Sequence, residues 1–79
     1  MNSIHDSRYQ RLIEELVGAR KDAGFTQEQA AGALKWRRTL LSNIETCQRR
    51  ADVLDVYAMA KLYGVSFHTL EAILTGDVK

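Results

Sequence analysis

Apolar residues recur every three or four positions along much of the chain, which is the spacing of one face of an α-helix. The first such stretch predicts a helix from about Ser7 to Ala23, with the apolar positions Tyr9, Leu12, Ile13, Leu16 and Val17. Gly24 follows directly and is suited to end this helix in the left-handed conformation. The chain has no proline and no alternating β-branched run long enough to predict a strand. The pattern predicts an all-α fold.

A second and a third helix are predicted close together in the middle of the chain. Thr26 and Gln29 form a capping-box pattern, which opens a short alanine-rich helix. A further start near Trp36 or Arg37 opens a helix whose apolar positions are Leu40, Leu41 and Ile44. Because only about three residues separate the two helices, they must cross at a steep angle, and small residues must lie where they approach. The spacing therefore predicts a helix-turn-helix over about 26–46.

Two more helices complete the predicted fold. Asp52, with Asp55 three residues later, is expected to cap a helix that runs to Gly64. Ser66 precedes a last apolar stretch over about 66–75, which Gly76 is expected to close. The pattern thus predicts five helices with short connections, forming one domain over 1–79.

The composition excludes several classes of protein. Hydrophobic residues make up 46% and charged residues 27% of the 79 positions, as in an ordinary folded domain. No apolar run approaches the roughly 20 residues of a membrane helix, and the N-terminus has no signal-peptide core. The single cysteine, Cys47, has no partner for an internal disulfide. We expect a cytoplasmic protein.

The overall charge of +1 hides an uneven distribution. The segment from Lys35 to Arg50 contains five basic residues and one acidic residue, Glu45, and carries a net charge of +4. The rest of the chain has six basic and nine acidic residues, a net charge of −3. A positive segment on a slightly acidic body is the pattern expected of a phosphate-binding surface.

The sequence of the predicted helix-turn-helix resembles a known family. Phe25–Leu34 reads F-T-Q-E-Q-A-A-G-A-L, and Arg38–Glu45 reads R-T-L-L-S-N-I-E. These motifs are similar to the T-Q-E-x-L/A-A opening and the S-x-I-E ending found in the lambda-repressor-like (Cro/CI, XRE) family of DNA-binding proteins. The resemblance covers about Arg11 to Leu74 and includes the fourth-helix segment Ala58–Ser66. It implies a five-helix domain that regulates transcription, with the second helix of the motif lying in the DNA major groove.

Four positions depart from the family pattern. Lys35 replaces the common glycine of the turn, and Arg37 replaces a small polar residue at the start of the recognition helix. Cys47 stands where a glycine often ends that helix, and Ala51 where a proline often starts the next. The Arg38-Thr39 start also resembles the short controller proteins of restriction–modification systems.

The resemblance implies a role for each candidate site residue. Base contacts are implied for Arg37, Arg38, Thr39 and Asn43, and Asn43 could instead reach a phosphate. Phosphate contacts are implied for Gln27, Lys35, Arg49 and Arg50. Trp36 is interpreted as a packing residue that covers the turn and whose indole N–H can bond a phosphate. A structural ion pair between the first and third helices is implied for Arg20 and Glu45. Leu40 has two possible roles, contact with a thymine methyl group or packing against a neighbouring loop.

The last predicted helix suggests how two copies could associate. Its apolar area exceeds what a small core absorbs, so the predicted dimer interface is Phe67, Leu70, Ile73 and Leu74, rimmed by His68 and Glu71. The alternative is that these residues close the core of the monomer. A homodimer would read two half-sites of a palindromic or pseudo-palindromic operator about 34 Å apart. RNA polymerase is a candidate further partner.

Other functions have less support in the sequence. His5 and His68 are far apart, and no nucleophile has a recognisable base beside it, so we expect no enzyme, no cofactor and no metal. Cys47 is either an ordinary reduced thiol or a redox-sensing one whose pKa is lowered by basic neighbours. The main alternative to a DNA-binding regulator is a protein-binding module of the antitoxin type.

Overall fold

The computed structural model describes residues 6–75, and this part of the chain folds into five helices without a strand. The helices are α1 (Ser7–Asp22), α2 (Gln27–Leu34), α3 (Arg38–Glu45), α4 (Val53–Tyr63) and α5 (Phe67–Thr75). The predicted all-α, five-helix fold is confirmed. The roles considered for His5 and Gly76 concern positions outside the described residues.

Local hydrogen bonds fix where two of the helices begin. At α2 the Gln29 backbone N–H donates to Thr26 Oγ1 at 3.0 Å, and the Thr26 N–H donates back to Gln29 Oε1 at 2.9 Å. Asp52 and Asp55 make the same reciprocal pair at the start of α4, at 2.9 and 3.1 Å. Each box satisfies backbone donors that a helix N-terminus otherwise leaves without partners. Both predicted caps are present.

The helix ends use the left-handed conformation, partly at positions that are not glycine. Gly24 and Gly64 have φ angles of 87° and 80° and carry no Cβ that would oppose this conformation. Lys35 and Cys47 adopt φ angles of 62° and 60°, although both have side chains. They are the two positions at which the sequence departs from a glycine of the family it resembles. Both side chains therefore bear a local strain of about 1–2 kcal/mol each.

The core lies around α1, which contacts α3, α4 and α5. Its largest fully buried side chains are Ile13, Leu16, Leu41, Ile44 and Met59. Ala30 and Ala31 of α2 are also buried, so the small residues lie where the helix-turn-helix packs closely. The loop before α4 is tied to α1, because the Ala51 N–H donates to the Tyr9 hydroxyl at 2.9 Å.

Two arginines of α1 hold the end of α5. Arg8 Nη1 donates to the Leu74 carbonyl at 3.3 Å, and Arg11 Nη2 donates to the Ile73 carbonyl at 3.4 Å. Carbonyl groups in the last turn of a helix lack partners within the helix, and cations are favourable there. α5 therefore packs on α1, whereas α3 packs between α1 and α2. Within residues 6–75, none of the helices has the length and apolar composition needed to cross a membrane.

Candidate nucleic-acid interface

α3 has one buried side and one exposed side. Leu41 and Ile44 are completely buried, while Arg38, Thr39 and Asn43 are exposed. At about 100° per residue, Thr39 lies opposite the two buried residues. Thr39 and Asn43 thus share the side of the helix that faces away from the core, and Arg38 is exposed at the edge of that side.

A single carboxylate joins the first three helices. Arg20 donates from Nε to Glu45 Oε2 at 2.7 Å and from Nη2 to Glu45 Oε1 at 3.1 Å. Both side chains are nearly buried, with 8% and 5% exposed. Arg20 also donates to the Phe25 carbonyl at 2.8 Å, which holds the chain entering α2. The pairing implied by the family resemblance is present, and it fixes α3 against α1.

Gln27 belongs to the same network. Its Nε2 donates to Glu45 Oε1 at 2.8 Å, and the side chain is half-buried. Because an ionised carboxylate accepts hydrogen bonds and donates none, this contact fixes the orientation of the Gln27 amide. The second N–H of that amide is not used by Glu45 and can donate to a phosphate oxygen, as the resemblance implies for Gln27.

Burial of Glu45 changes the charge that the surface presents. All five cations of the positive segment are exposed: Lys35, Arg37, Arg38, Arg49 and Arg50. Glu45, its one acidic residue, is instead buried and paired with Arg20. The exposed surface of this segment is therefore more positive than its net charge of +4.

Residues on both sides of α3 come together in a shallow depression, which we call the cationic depression. It is lined by Lys35, Trp36, Arg37, Thr39, Leu40, Asn43 and Arg49. The loop after α3 folds back onto the end of the helix, where the Gln48 and Arg49 N–H groups donate to the Asn43 carbonyl at 2.8 and 3.1 Å. This turn brings Arg49 to residues that precede α3. Arg38 and Arg50 are exposed but do not line the depression.

Two apolar residues lie among these cations. Trp36 and Leu40 are half-buried and pack against the core, and each also lines the cationic depression. Both alternatives considered for Leu40 are therefore compatible with its position, because one side of it packs and the other faces the depression.

The predicted dimer residues divide into two groups by their burial. Leu70 is 5% exposed and belongs to the core, which is the alternative role predicted for it. Ile73 is half-buried against the same core. Phe67 and Leu74 remain 70% and 47% exposed.

The sequence reasoning missed three further exposed apolar residues. Val53, Leu54 and Tyr57 of α4 lie beside the exposed residues of α5, and together they form a surface that we call the apolar face: Val53, Leu54, Tyr57, Phe67 and Leu74. The Tyr57 and Phe67 rings are 6.4 Å apart in an edge-on contact, which joins the two helices. The signal was present in the sequence, because adjacent apolar residues at the start of α4 cannot all point to one core.

The environment of Cys47 is opposite to that of a reactive thiol. Burial, together with the charge of Glu14, raises the pKa of its thiol. A raised pKa keeps the group protonated and unreactive at neutral pH. The redox-sensing alternative, which required a lowered pKa, is not supported by this environment.

Comparison with known proteins agrees with the motif and its position. The family model described as a helix-turn-helix domain matches residues 11–75, which include all of α2 to α5 and most of α1. Comparison with curated proteins and with solved structures finds no match. Since the matched region covers most of the chain, the protein belongs to the helix-turn-helix domain family.

Proposed function

We propose that this protein is a sequence-specific transcription regulator that binds double-stranded DNA with α3 in the major groove. The observation that carries the proposal is the cationic depression, where Lys35, Arg37 and Arg49 meet beside the exposed side of α3. No acidic residue lines this depression. Cations that neutralise phosphates supply a large share of the affinity of a protein for DNA, and groups on the inserted helix supply its sequence preference.

The exposed residues divide by the contacts that their chemistry allows. Arg38 and Thr39 lie at the start of α3 and are proposed to contact base edges, with Arg38 suited to the paired acceptors of guanine. Arg37 and Asn43 are proposed to contribute further base contacts. Lys35, Trp36, Arg49, Arg50 and the remaining amide N–H of Gln27 are proposed to hold the phosphate backbone.

The proposed active form is a homodimer that joins two copies through the apolar face. Five large apolar side chains are exposed on one side of α4 and α5, which is unusual for a chain that remains alone. α5 packs on α1 and α3 packs between α1 and α2, so a second copy on the apolar face leaves α3 uncovered. Two recognition helices then read the two halves of a palindromic or pseudo-palindromic operator. We further propose a repressor or controller of the Cro/CI type, with RNA polymerase as a candidate partner.

The salt dependence of DNA affinity tests the phosphate contacts. We expect the logarithm of the association constant to fall with the logarithm of salt concentration by about 0.9 for each neutralised phosphate. Arg49→Gln should reduce this slope by about 0.9 for each DNA-bound protomer. Lys61→Gln is the matched control, because Lys61 is an exposed cation on α4 that does not line the depression. The fluorescence of Trp36, the single tryptophan, reports binding from within the site.

Base contact at Arg38 is tested by comparing sequences. Arg38→Gln should weaken the preferred duplex by about 1–3 kcal/mol relative to unrelated duplexes. Equal weakening of all duplexes would make Arg38 a phosphate contact. An affinity that does not depend on salt would contradict the DNA-binding proposal as a whole.

Sedimentation tests the homodimer. Leu54→Asp and Phe67→Asp should each convert a dimer to a monomer while circular dichroism shows that the helices remain, because both wild-type side chains are mostly exposed. Leu70 does not serve this test, since it is buried and its replacement by aspartate would unfold the chain. A monomer at all concentrations that still binds one half-site would contradict the dimeric form only.

The apolar face also supports a second candidate, a protein-binding module of the antitoxin type. In that case the face binds a different protein, and the chain alone sediments as a monomer. Salt-dependent, sequence-specific binding of a homodimer to DNA separates the first proposal from this one.

A further inference from the structure

The cations of the cationic depression lie together without a neutralising group. Lys35, Arg37 and Arg49 all line it, and none of the three forms an ion pair within residues 6–75. Like charges held together are unfavourable until an anion reduces their repulsion. This edge of the site therefore suits the phosphates of a nucleic-acid strand.

The same depression contains an apolar element that a phosphate does not use. Leu40 and Trp36 are half-buried and line it next to Thr39, whose side chain ends in a methyl and a hydroxyl group. On the edge that DNA shows to its major groove, the one apolar group is the methyl on C5 of thymine, which 5-methylcytosine also carries. Cations beside an apolar patch therefore match a methylated pyrimidine and the phosphate of its own strand.

We propose that the cationic depression is a binding subsite for a 5-methylpyrimidine of duplex DNA. The methyl group packs against Leu40 and the methyl of Thr39, and Lys35 and Arg49 hold the neighbouring phosphates. Asn43 lies one turn after Thr39 and lines the same depression, where its amide can hydrogen-bond a base edge. This inference rests on the proposed DNA-binding function and specifies one base that the protein reads.

The test changes the DNA and leaves the protein intact. The preferred duplex is first selected from a random pool, and each thymine in it is then replaced singly by uracil, which pairs identically but lacks the methyl group. We expect uracil at one position in each half-site to lower the affinity of the protein for the duplex about fourfold per methyl group removed. This is the effect of losing the burial of one methyl-sized apolar group. Uracil at the other positions is the internal control.

Protein variants assign the effect to the subsite. Leu40→Ala should discriminate less between the thymine and uracil duplexes than the wild type does, because only the Thr39 methyl remains. Leu40→Met, which keeps most of the volume, should retain most of the preference for the methyl group. Circular dichroism of both variants establishes that the helices are present. A duplex with 5-methylcytosine at that position should bind more tightly than the same duplex with cytosine, by a similar factor. This comparison shows whether the subsite also accepts the methyl group of 5-methylcytosine.

The possible results have separate meanings. Sequence-specific binding without any dependence on a pyrimidine methyl group overturns the inference and leaves the proposed function standing. A methyl dependence that persists unchanged in Leu40→Ala also overturns it. Absence of any binding to duplex DNA overturns both the inference and the proposed function.

Discussion

The cationic depression and the apolar face are both exposed, but they are held by different kinds of interaction. The depression is built on α3, which the buried pair between Arg20 and Glu45 fixes to α1. The apolar face is built on α4 and α5, and the end of α5 is fixed to α1 by exposed hydrogen bonds from Arg8 and Arg11. Both regions rest on the apolar core, but only the depression also depends on a few buried polar atoms.

This difference has a consequence for mutation. In the polar region a single substitution leaves a buried charge without its partner, so the cost is concentrated at two residues. In the apolar region two leucines of one helix differ mainly in burial, as Leu70 and Leu74 do. The same leucine-to-alanine substitution therefore has unequal effects on stability at the two positions.

The largest effect is expected from Arg20→Ala. It leaves the Glu45 side chain, of which 5% is exposed, without its cation, and should lower the free energy of unfolding by about 3–5 kcal/mol. Urea denaturation measures this change. The double variant Arg20→Met/Glu45→Leu removes both charges and should be much closer to the wild type. A small effect of Arg20→Ala would remove the proposed contrast between the two regions.

Within α5 the paired variants Leu70→Ala and Leu74→Ala compare a buried leucine with an exposed one. Leu70→Ala should lower the free energy of unfolding by about 2–5 kcal/mol, since its side chain is in the core. Leu74→Ala should cost clearly less in a monomeric preparation, because 47% of Leu74 is exposed. Thermal unfolding at low protein concentration compares the two, and equal losses would mean that the apolar face is part of the core.

Tyr63 and Tyr9 allow a similar comparison for hydroxyl groups. The Tyr63 hydroxyl is buried without a hydrogen-bond partner among residues 6–75, whereas the Tyr9 hydroxyl accepts from the Ala51 N–H at 2.9 Å. Tyr9→Phe should therefore cost about 1 kcal/mol or more, and Tyr63→Phe should be neutral or slightly stabilising. Urea denaturation of the two variants side by side is the measurement, and a loss in Tyr63→Phe equal to that in Tyr9→Phe would contradict it.

The pH dependence of stability provides a second test at Tyr63. Burial, and to a lesser extent Glu45, raises the pKa of Tyr63 from 10.0 to about 12. The folded chain then holds this proton more tightly than the unfolded chain, so the contribution to stability is present below pH 10 and is lost as pH rises from 10 to 12. Tyr63→Phe should lose less stability than the wild type across that interval.

The smallest effect concerns the turn before α3. Lys35→Gly should change the free energy of unfolding by less than about 1 kcal/mol, because relief of the left-handed strain is partly offset by greater freedom of the unfolded chain. Lys35→Val should instead destabilise, since a β-branched side chain opposes a φ angle of 62° more strongly. A large loss in Lys35→Gly would show that the lysine side chain itself supports the turn.

Much of the fold could be predicted because its determinants are local. Thr26 with Gln29 and Asp52 with Asp55 interact across three residues, so the sequence alone predicts where α2 and α4 begin. The site was predictable to the extent that the family motif identifies α3 and its exposed positions. The positive segment was visible in the sequence as a net charge of +4. That sum includes the negative charge of Glu45, which the structure shows to be paired with Arg20.

The helices, their caps and the side of α3 that carries polar residues can be predicted from the sequence, because they follow from contacts within one or two helical turns. The packing of the helices is what buries the pair of Arg20 and Glu45 that the family resemblance implies, brings Arg49 to Lys35 in one depression, and sets which leucines of α5 are exposed. These outcomes depend on how distant helices pack against α1. Burial is a property of that packing, and apolar residues such as Leu54 and Leu70 look alike until the neighbouring helix is in place.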